Sequence, residues 1–168
     1  MSLRRIGTAL FGVVLSVSLT GCSGDEPRIS AQFNQAASLT GDLPANPLQW
    51  KIVTAEINKA DSSMSTLYGN DLAIAYARTH SQHDYPAGSI LALVTWTQTE
   101  DTRWFGANIP AQVKSVEFVT VESAADGTQS YSYQKFGGAP LKTLSTQQSL
   151  TPSERMAYLL SQRAAVMP

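Results

Sequence analysis

The chain holds one cysteine, Cys22, in 168 residues, so no intrachain disulfide can staple the fold. It holds two histidines, His80 and His83, too few for the four-ligand sites that structural zinc normally takes. Lysine and arginine number 12 and nowhere form a block, which argues against nucleic acid as a partner. The sequence contains no G-x-S-x-G, no Walker loop and no G-x-G-x-x-G. No serine, histidine and acid can be assembled into a triad by spacing, so a hydrolase lacks its machinery. The one long uncharged, mostly apolar run spans residues 6–19. It falls short of the ~20 residues that a bilayer-spanning helix needs.

What is present begins with that run. Arg4 and Arg5 precede it and small residues follow it, the order of a secretory signal. Leu19-Thr20-Gly21-Cys22 resembles the lipobox of bacterial lipoproteins. The resemblance implies that the Cys22 thiol receives a diacylglyceryl group. Cleavage then leaves the acylated cysteine, carrying palmitate-type chains, as the new N-terminus. Two or more such chains hold a protein stably at a membrane surface, where one does so only marginally. The expected protein is therefore a bacterial envelope lipoprotein. Ser23, rather than Asp, after Cys22 implies the periplasmic side of the outer membrane.

Cleavage divides the chain into a signal peptide (1–21), a flexible tether (22–47) and a single domain (48–168). Removing Arg4 and Arg5 from the twelve basic residues leaves ten against thirteen acidic, a net charge of −3. The tether carries Gly24, Gly41, Pro27, Pro44 and Pro47 with several acids, a composition that buries little apolar area. Within it, residues 29–39 form a candidate short helix.

In the domain, residues 50–57 are rich in β-branched and apolar types and read as a strand, with Val53, Ala55 and Ile57 on one face. Residues 62–70 read as a turn region. Asn70 is a candidate N-cap for a short helix over 72–78, with Leu72 and Tyr76 on one face. Residues 79–88 are a polar loop. Residues 88–97 form the clearest strand: Ile90, Ala92, Val94 and Trp96 alternate with Leu91, Leu93, Thr95 and Thr97. Apolar residues on both sides predict a central strand covered on both faces. Residues 113–122 and 129–136 flank Asp126-Gly127, a strong turn dipeptide, and should pair as an antiparallel hairpin. Thr151-Pro152-Ser153-Glu154 carries a capping threonine, a proline at the first helical position and a glutamate three residues past the cap. Met156, Leu159 and Leu160 follow at helical spacing, with Arg155 and Arg163 on the other side. The order of elements predicts an α+β domain: an antiparallel sheet of about four to five strands flanked by short helices, with the C-terminal helix packed on the sheet.

Two groups could carry chemistry. His80-Ser81-Gln82-His83-Asp84 places two imidazoles and a carboxylate within five residues, a set that can bind a transition metal. The same pattern suits a solvated polar loop. Trp96 with Glu100-Asp101-Thr102-Arg103-Trp104-Phe105-Gly106 gathers aromatics and acids around one loop. There Trp104 and Phe105 either cap the core or line a contact site.

From Leu48 to about Pro140 the chain resembles the cytochrome P-460 family of periplasmic proteins. The residues are Tyr68-Gly69-Asn70 before a short Ala-rich helix, and Tyr85-Pro86-Ala87-Gly88-Ser89 leading into the strand that ends at Trp96. The resemblance implies an antiparallel sheet flanked by helices. In the founding members it implies a c-type haem that oxidises hydroxylamine or binds nitric oxide. The family attaches haem through C-x-x-C-H and bonds a lysine to it. This chain has no C-x-x-C-H, and residues 88–96 contain no lysine. The expectation is therefore a non-enzymatic binding or interaction module without a resident cofactor, taking a small ligand or an envelope protein. Tyr68, Asn70 and Trp96 would line its pocket, and Trp104 and Phe105 would form its contact site. The alternative is a redox or nitric-oxide-binding protein that holds haem without a covalent bond, with His80 or His83 as axial ligand. The lipobox makes its own prediction: the protein partitions into detergent in a phase-separation assay, and Cys22→Ser moves it to the aqueous phase.

Overall fold

The computed structural model of the chain describes residues 34–80, 84–124, 127–145 and 151–165. The signal segment, Cys22 and His83 lie outside the described residues. Six strands form one antiparallel meander: β1 Lys51–Asn58, β2 Ser63–Gly69, β3 Ile90–Glu100, β4 Asn108–Ser123, β5 Gln129–Gly137 and β6 Lys142–Thr143. Helix α1 (Asp71–Thr79) connects β2 to β3, and α2 (Pro152–Leu160) follows the sheet. None of the described helices is long and apolar enough to cross a membrane.

Strand β3 sets the architecture, because both of its faces are apolar. Leu91 and Leu93 belong to one core with Val119, Val121, Ile74, Tyr85 and Leu159. Ala92, Val94 and Trp96 belong to a second core with Val116, Phe118 and Phe136. Helices α1 and α2 and the loop through Tyr85 cover the first face. The second is covered by chain that precedes β1: Ala37, Leu39, Leu43 and Trp50 pack there, together with Leu141. The Trp96 indole N–H donates to the Ala37 carbonyl at 3.0 Å, and Gly41 bridges Leu141 in parallel. Gly41 has φ +132°, and a Cβ there would lie 2.2 Å from the Leu141 carbonyl oxygen, so only glycine permits this approach. Residues 34–47 thus rest on the sheet, and the helix expected over 29–39 is a 3-10 turn at Gln35–Ala37 where it is described.

The sheet has six strands rather than four or five. The additional long strand is β2, in the stretch read as a turn. Its hydroxyl-rich composition mimics a turn, yet Met64, Thr66 and Tyr68 alternate with Ser63, Ser65 and Leu67 along a full seven-residue ladder with β3. Val53 does not share a face with Ala55 and Ile57. A bulge between Ile52 and Thr54 turns it into the helix-side core, while Ile57 pairs with Met64 on the other side. Strand β4 starts at Asn108, five residues earlier than expected, and runs through Pro110. Proline is tolerated because β5 joins only from Ser115, which leaves that flank of β4 without a partner strand. In α1 the buried positions are Ala73 and Ile74, while Leu72 is exposed.

The two short motifs of the sequence meet at one junction. The Asn70 Oδ1 accepts from the N–H of Ala73 at 2.9 Å and from that of Ile90 at 3.2 Å; its Nδ2 donates to the Gly88 carbonyl at 2.8 Å. A Cβ on Gly69 would come within 3.1 Å of Ala73 and 3.3 Å of Val53. Tyr85 is buried against Tyr76 at 5.0 Å, and Gly88, at φ +90°, donates its N–H to Val121. These residues splice β2, α1 and β3 together. An N-cap contributes ~1 kcal/mol and each further hydrogen bond a similar amount. Asn70→Ala should therefore lower unfolding free energy by about 2–4 kcal/mol in urea denaturation. Asn70→Asp, which keeps the acceptor and loses the donor, should lose less.

Candidate functional site

Concavities open on both faces of the sheet. On the second face, the cover formed by residues 34–48 does not close completely over β2 and β3. The result is a cleft of about 430 Å³ lined by Asn34, Ala37, Ser38, Leu48, Thr66, Tyr68, Trp96 and Pro110. Tyr68 and Trp96 reach it from neighbouring strands, at alternate positions that the pleat directs to one side. Burial pushes the Tyr68 phenol up, and a hydrogen bond with Thr66 offsets part of that rise. Tyr68 is thus a neutral hydroxyl in an otherwise largely apolar wall.

The first face is apolar where α1 covers it and polar toward the β1–β2 turn. There a concavity of about 360 Å³ is lined by Glu56, Asp61, Ser65, Thr95, Lys114, Glu117, Lys135, Arg155 and Tyr158, among others. Its floor is Glu117, whose side chain is 3% exposed. Arg155 on α2 grips both carboxylate oxygens, Nε to Oε2 and Nη2 to Oε1, each at 2.9 Å. The Tyr133 hydroxyl donates to Oε2 at 2.6 Å, and Lys135 lies 3.7 Å from Oε1. Burial pushes the Glu117 carboxyl up, but the hydrogen bonds from Arg155 and Tyr133 and the charges of Arg155 and Lys135 outweigh it. The net shift is below the usual carboxylate range. Burial and the Glu117 carboxylate together raise Tyr133 well above an ordinary phenol. Arg155, expected on the polar outer side of α2, instead turns inward to this carboxylate.

The residues singled out from the sequence are therefore dispersed. Tyr68 and Trp96 share the cleft. Asn70 sits at the strand–helix junction with its side-chain amide engaged on both ends. Trp104 and Phe105 stand in solvent on the β3–β4 loop, Trp104 70% exposed and Phe105 fully so. His80 caps α1, stacks on Tyr76 at 4.2 Å and holds Thr79 Oγ1 at 2.8 Å from Nδ1. Its intended partner His83 lies outside the described residues. Glu117, Tyr133 and Arg155 were not read as site residues from the sequence. The readable signal was a lone acid amid Val116, Phe118, Val119 and Val121, which alternation points toward the helix-covered face.

Haem can be tested against these cavities. Among the described residues no group of three or more His, Cys, Asp or Glu is placed to hold a metal ion. The second-face cleft presents no imidazole, thiol or thioether. The lysines of the first-face concavity are committed, Lys114 to Asp61 at 3.0 Å and Lys135 to Glu117. His80 lines neither cavity. The donor set of the described residues does not fit the family's attached haem.

Glu117 anchors α2, so its loss leaves Arg155 and Lys135 facing each other across a buried gap. Removing one partner of such a cluster typically costs about 3–5 kcal/mol, and Glu117→Gln should lose that much in chemical denaturation at pH 7. The carboxyl's folded pKa lies below its ordinary value of 4.5. Its stabilisation is therefore complete above that value and is lost as pH falls through the depressed one. Glu117→Gln should flatten this acid limb, and an unchanged limb would contradict the assignment.

A comparison with curated protein sequences finds no match. The family model for Cytochrome P460 matches residues 44–153, well over half of the chain. The match contains both motif stretches, β1 to β6 and the cap of α2. On this match and its antiparallel sheet, the chain belongs to the cytochrome P460 family.

Proposed function

We propose that this chain is a lipid-anchored envelope protein, exported and moored through Cys22, that uses the P460 scaffold as a non-enzymatic binding module. Its ligand site is the cleft on the second face. The observation that carries this reading is the composition of that cleft: about 430 Å³ walled by Trp96, Leu48, Pro110 and Ala37, with Tyr68, Thr66, Ser38 and Asn34 as polar points. A concave, largely apolar site with a few placed polar groups suits a small organic ligand. The volume and the Trp96 wall favour a single aromatic or short aliphatic body that carries one hydrogen-bonding group for Tyr68. The reading is non-enzymatic because the cleft lining lacks carboxylate, imidazole and thiol, leaving no acid–base pair to move a proton. The Glu117 carboxylate on the opposite face is held by Arg155 and Tyr133.

Anilinonaphthalene sulfonate, an aromatic fluorophore, serves as probe. It should bind the mature protein saturably at one site, and Thr66→Trp, which fills the cleft, should abolish that binding while leaving the far-UV spectrum unchanged. Absence of saturable binding to the wild type, or full binding to Thr66→Trp, would sink the cleft as a ligand site. Hemin titration addresses the alternative reading: a stable Soret band at one equivalent would replace the proposed ligand class with haem.

A further inference from the structure

The loop between β3 and β4 is ordered, yet it puts its two largest apolar side chains into solvent. Asp101 accepts from the Arg103 N–H at 2.9 Å through Oδ1, and its own N–H donates to the Ala107 carbonyl at 2.9 Å. The Ala107 N–H donates to the Trp104 carbonyl at 3.0 Å. Gly106, at φ +76°, closes the turn, and no atom lies within 4 Å of a Cβ built there. Arg103 pairs with Asp101 at 3.5 Å. Within this frame Trp104 and Phe105 are both exposed and belong to neither core. Each ring offers on the order of 150–250 Å² of surface.

The position of this tip identifies what it meets. The loop closes the same end of the sheet as the β1–β2 turn, because Ser63 pairs with Thr97. The described chain also starts at this end. Asn34 lines the cleft that Pro110 also lines, the turn that follows it is tied to Trp96 through the Ala37 carbonyl, and Pro110 pairs with Gln98, two residues before β3 ends. Cys22 precedes Asn34 by only 12 positions, which reach at most about 40 Å when fully extended. A chain moored at Cys22 therefore keeps Asn34 within about 40 Å of the bilayer, which lets this end of the sheet reach the lipid surface. Indole and phenyl rings favour the boundary between headgroups and acyl chains. At this end Arg103 pairs with Asp101 and Lys114 with Asp61, and Lys59 and Glu100 add one charge of each sign, so no net positive charge draws it to anionic headgroups.

We propose that Trp104 and Phe105 form a second membrane contact, a foot that inserts into the interface of a lipid bilayer and fixes the orientation of the tethered domain. A tether raises the effective concentration of such a foot to the millimolar range, so a contact too weak to recruit the protein alone still holds it upright. The inference rests on the anchored reading for the end of the sheet that faces the membrane.

The test separates the two. A mature chain with Cys22→Ser and an N-terminal hexahistidine is captured on phosphatidylcholine vesicles containing nickel-chelating lipid, which supplies a tether at the same place without acylation. Vesicles with brominated acyl chains should quench tryptophan emission relative to unbrominated vesicles, and the remaining emission should be unaffected by salt. Trp104→Phe should remove this quenching without moving the melting temperature, since Trp50 and Trp96 pack against the sheet. Equal emission from both vesicle types, or undiminished quenching in Trp104→Phe, overturns the proposal. So does a photo-crosslinking residue at position 105 that captures envelope protein and no lipid in cells. None of these results bears on whether Cys22 is acylated, which detergent partitioning of the native protein reads separately.

Discussion

A strand that is apolar on both faces needs two covers, and β3 is such a strand. Leu91 and Leu93 on one side and Ala92, Val94 and Trp96 on the other are all buried. Each fully buried side chain of the larger kinds contributes roughly 1.5–3 kcal/mol, so neither face can stay wet. With no disulfide available to compensate, the fold recruits unlike materials for the two tasks. Two helices and the Tyr85 loop cover one face. Irregular chain ahead of β1, tied down by the Trp96–Ala37 hydrogen bond and the Gly41–Leu141 approach, covers the other.

The two covers explain why concavities open on both faces. A helix pair is shorter than the strands it covers, so the lower part of the first face would be exposed. The sequence fills it with hydroxyls and with Glu117, and the Arg155 fork draws α2 down onto that carboxylate. A buried ion cluster of this kind is worth little in net stability, because desolvation consumes most of the attraction. Its effect is to fix where α2 sits. Irregular chain covers a pleated surface less evenly, and the gap it leaves beside Tyr68 and Trp96 is the proposed ligand cleft. The family motif stretches lie at neither concavity's centre. Most of their residues form the splice around Asn70 and Gly88, so membership in the P460 family accounts for the scaffold, while of these stretches only Tyr68 reaches the proposed cleft.

What was legible in the sequence followed from local physics. The two-sided pattern of β3, the hairpin of β4 and β5, the Asn70 cap and the Thr151–Glu154 capping box were all read correctly, because each depends on neighbours a few residues apart. The misreadings depended on distant partners. Strand β2 looks like a turn until β1 and β3 flank it. Val53 changes face because of a bulge that no pattern announces. Arg155 faces inward because it bonds both oxygens of Glu117, 38 residues away, a buried carboxylate that Lys135 meets only at 3.7 Å. At the site level, Tyr68 and Trp96 line one cleft because β2 pairs with β3, a pairing that the turn reading of residues 62–70 did not contain. Asn70 carries structure, and Trp104 and Phe105 face solvent because their loop closes on its own backbone, away from either core.

The dependence of the second face on residues 34–48 is most directly read at the Trp96 indole. Its N–H is buried and bonded to Ala37, whereas that of Trp104 lies on an exposed loop. Proton–nitrogen correlation spectra of the mature protein in deuterated buffer should keep the Trp96 indole signal long after the Trp104 signal has vanished. Indole signals of Trp96 and Trp104 that disappear together would show the second face to be uncovered, and the cleft would lose its outer wall.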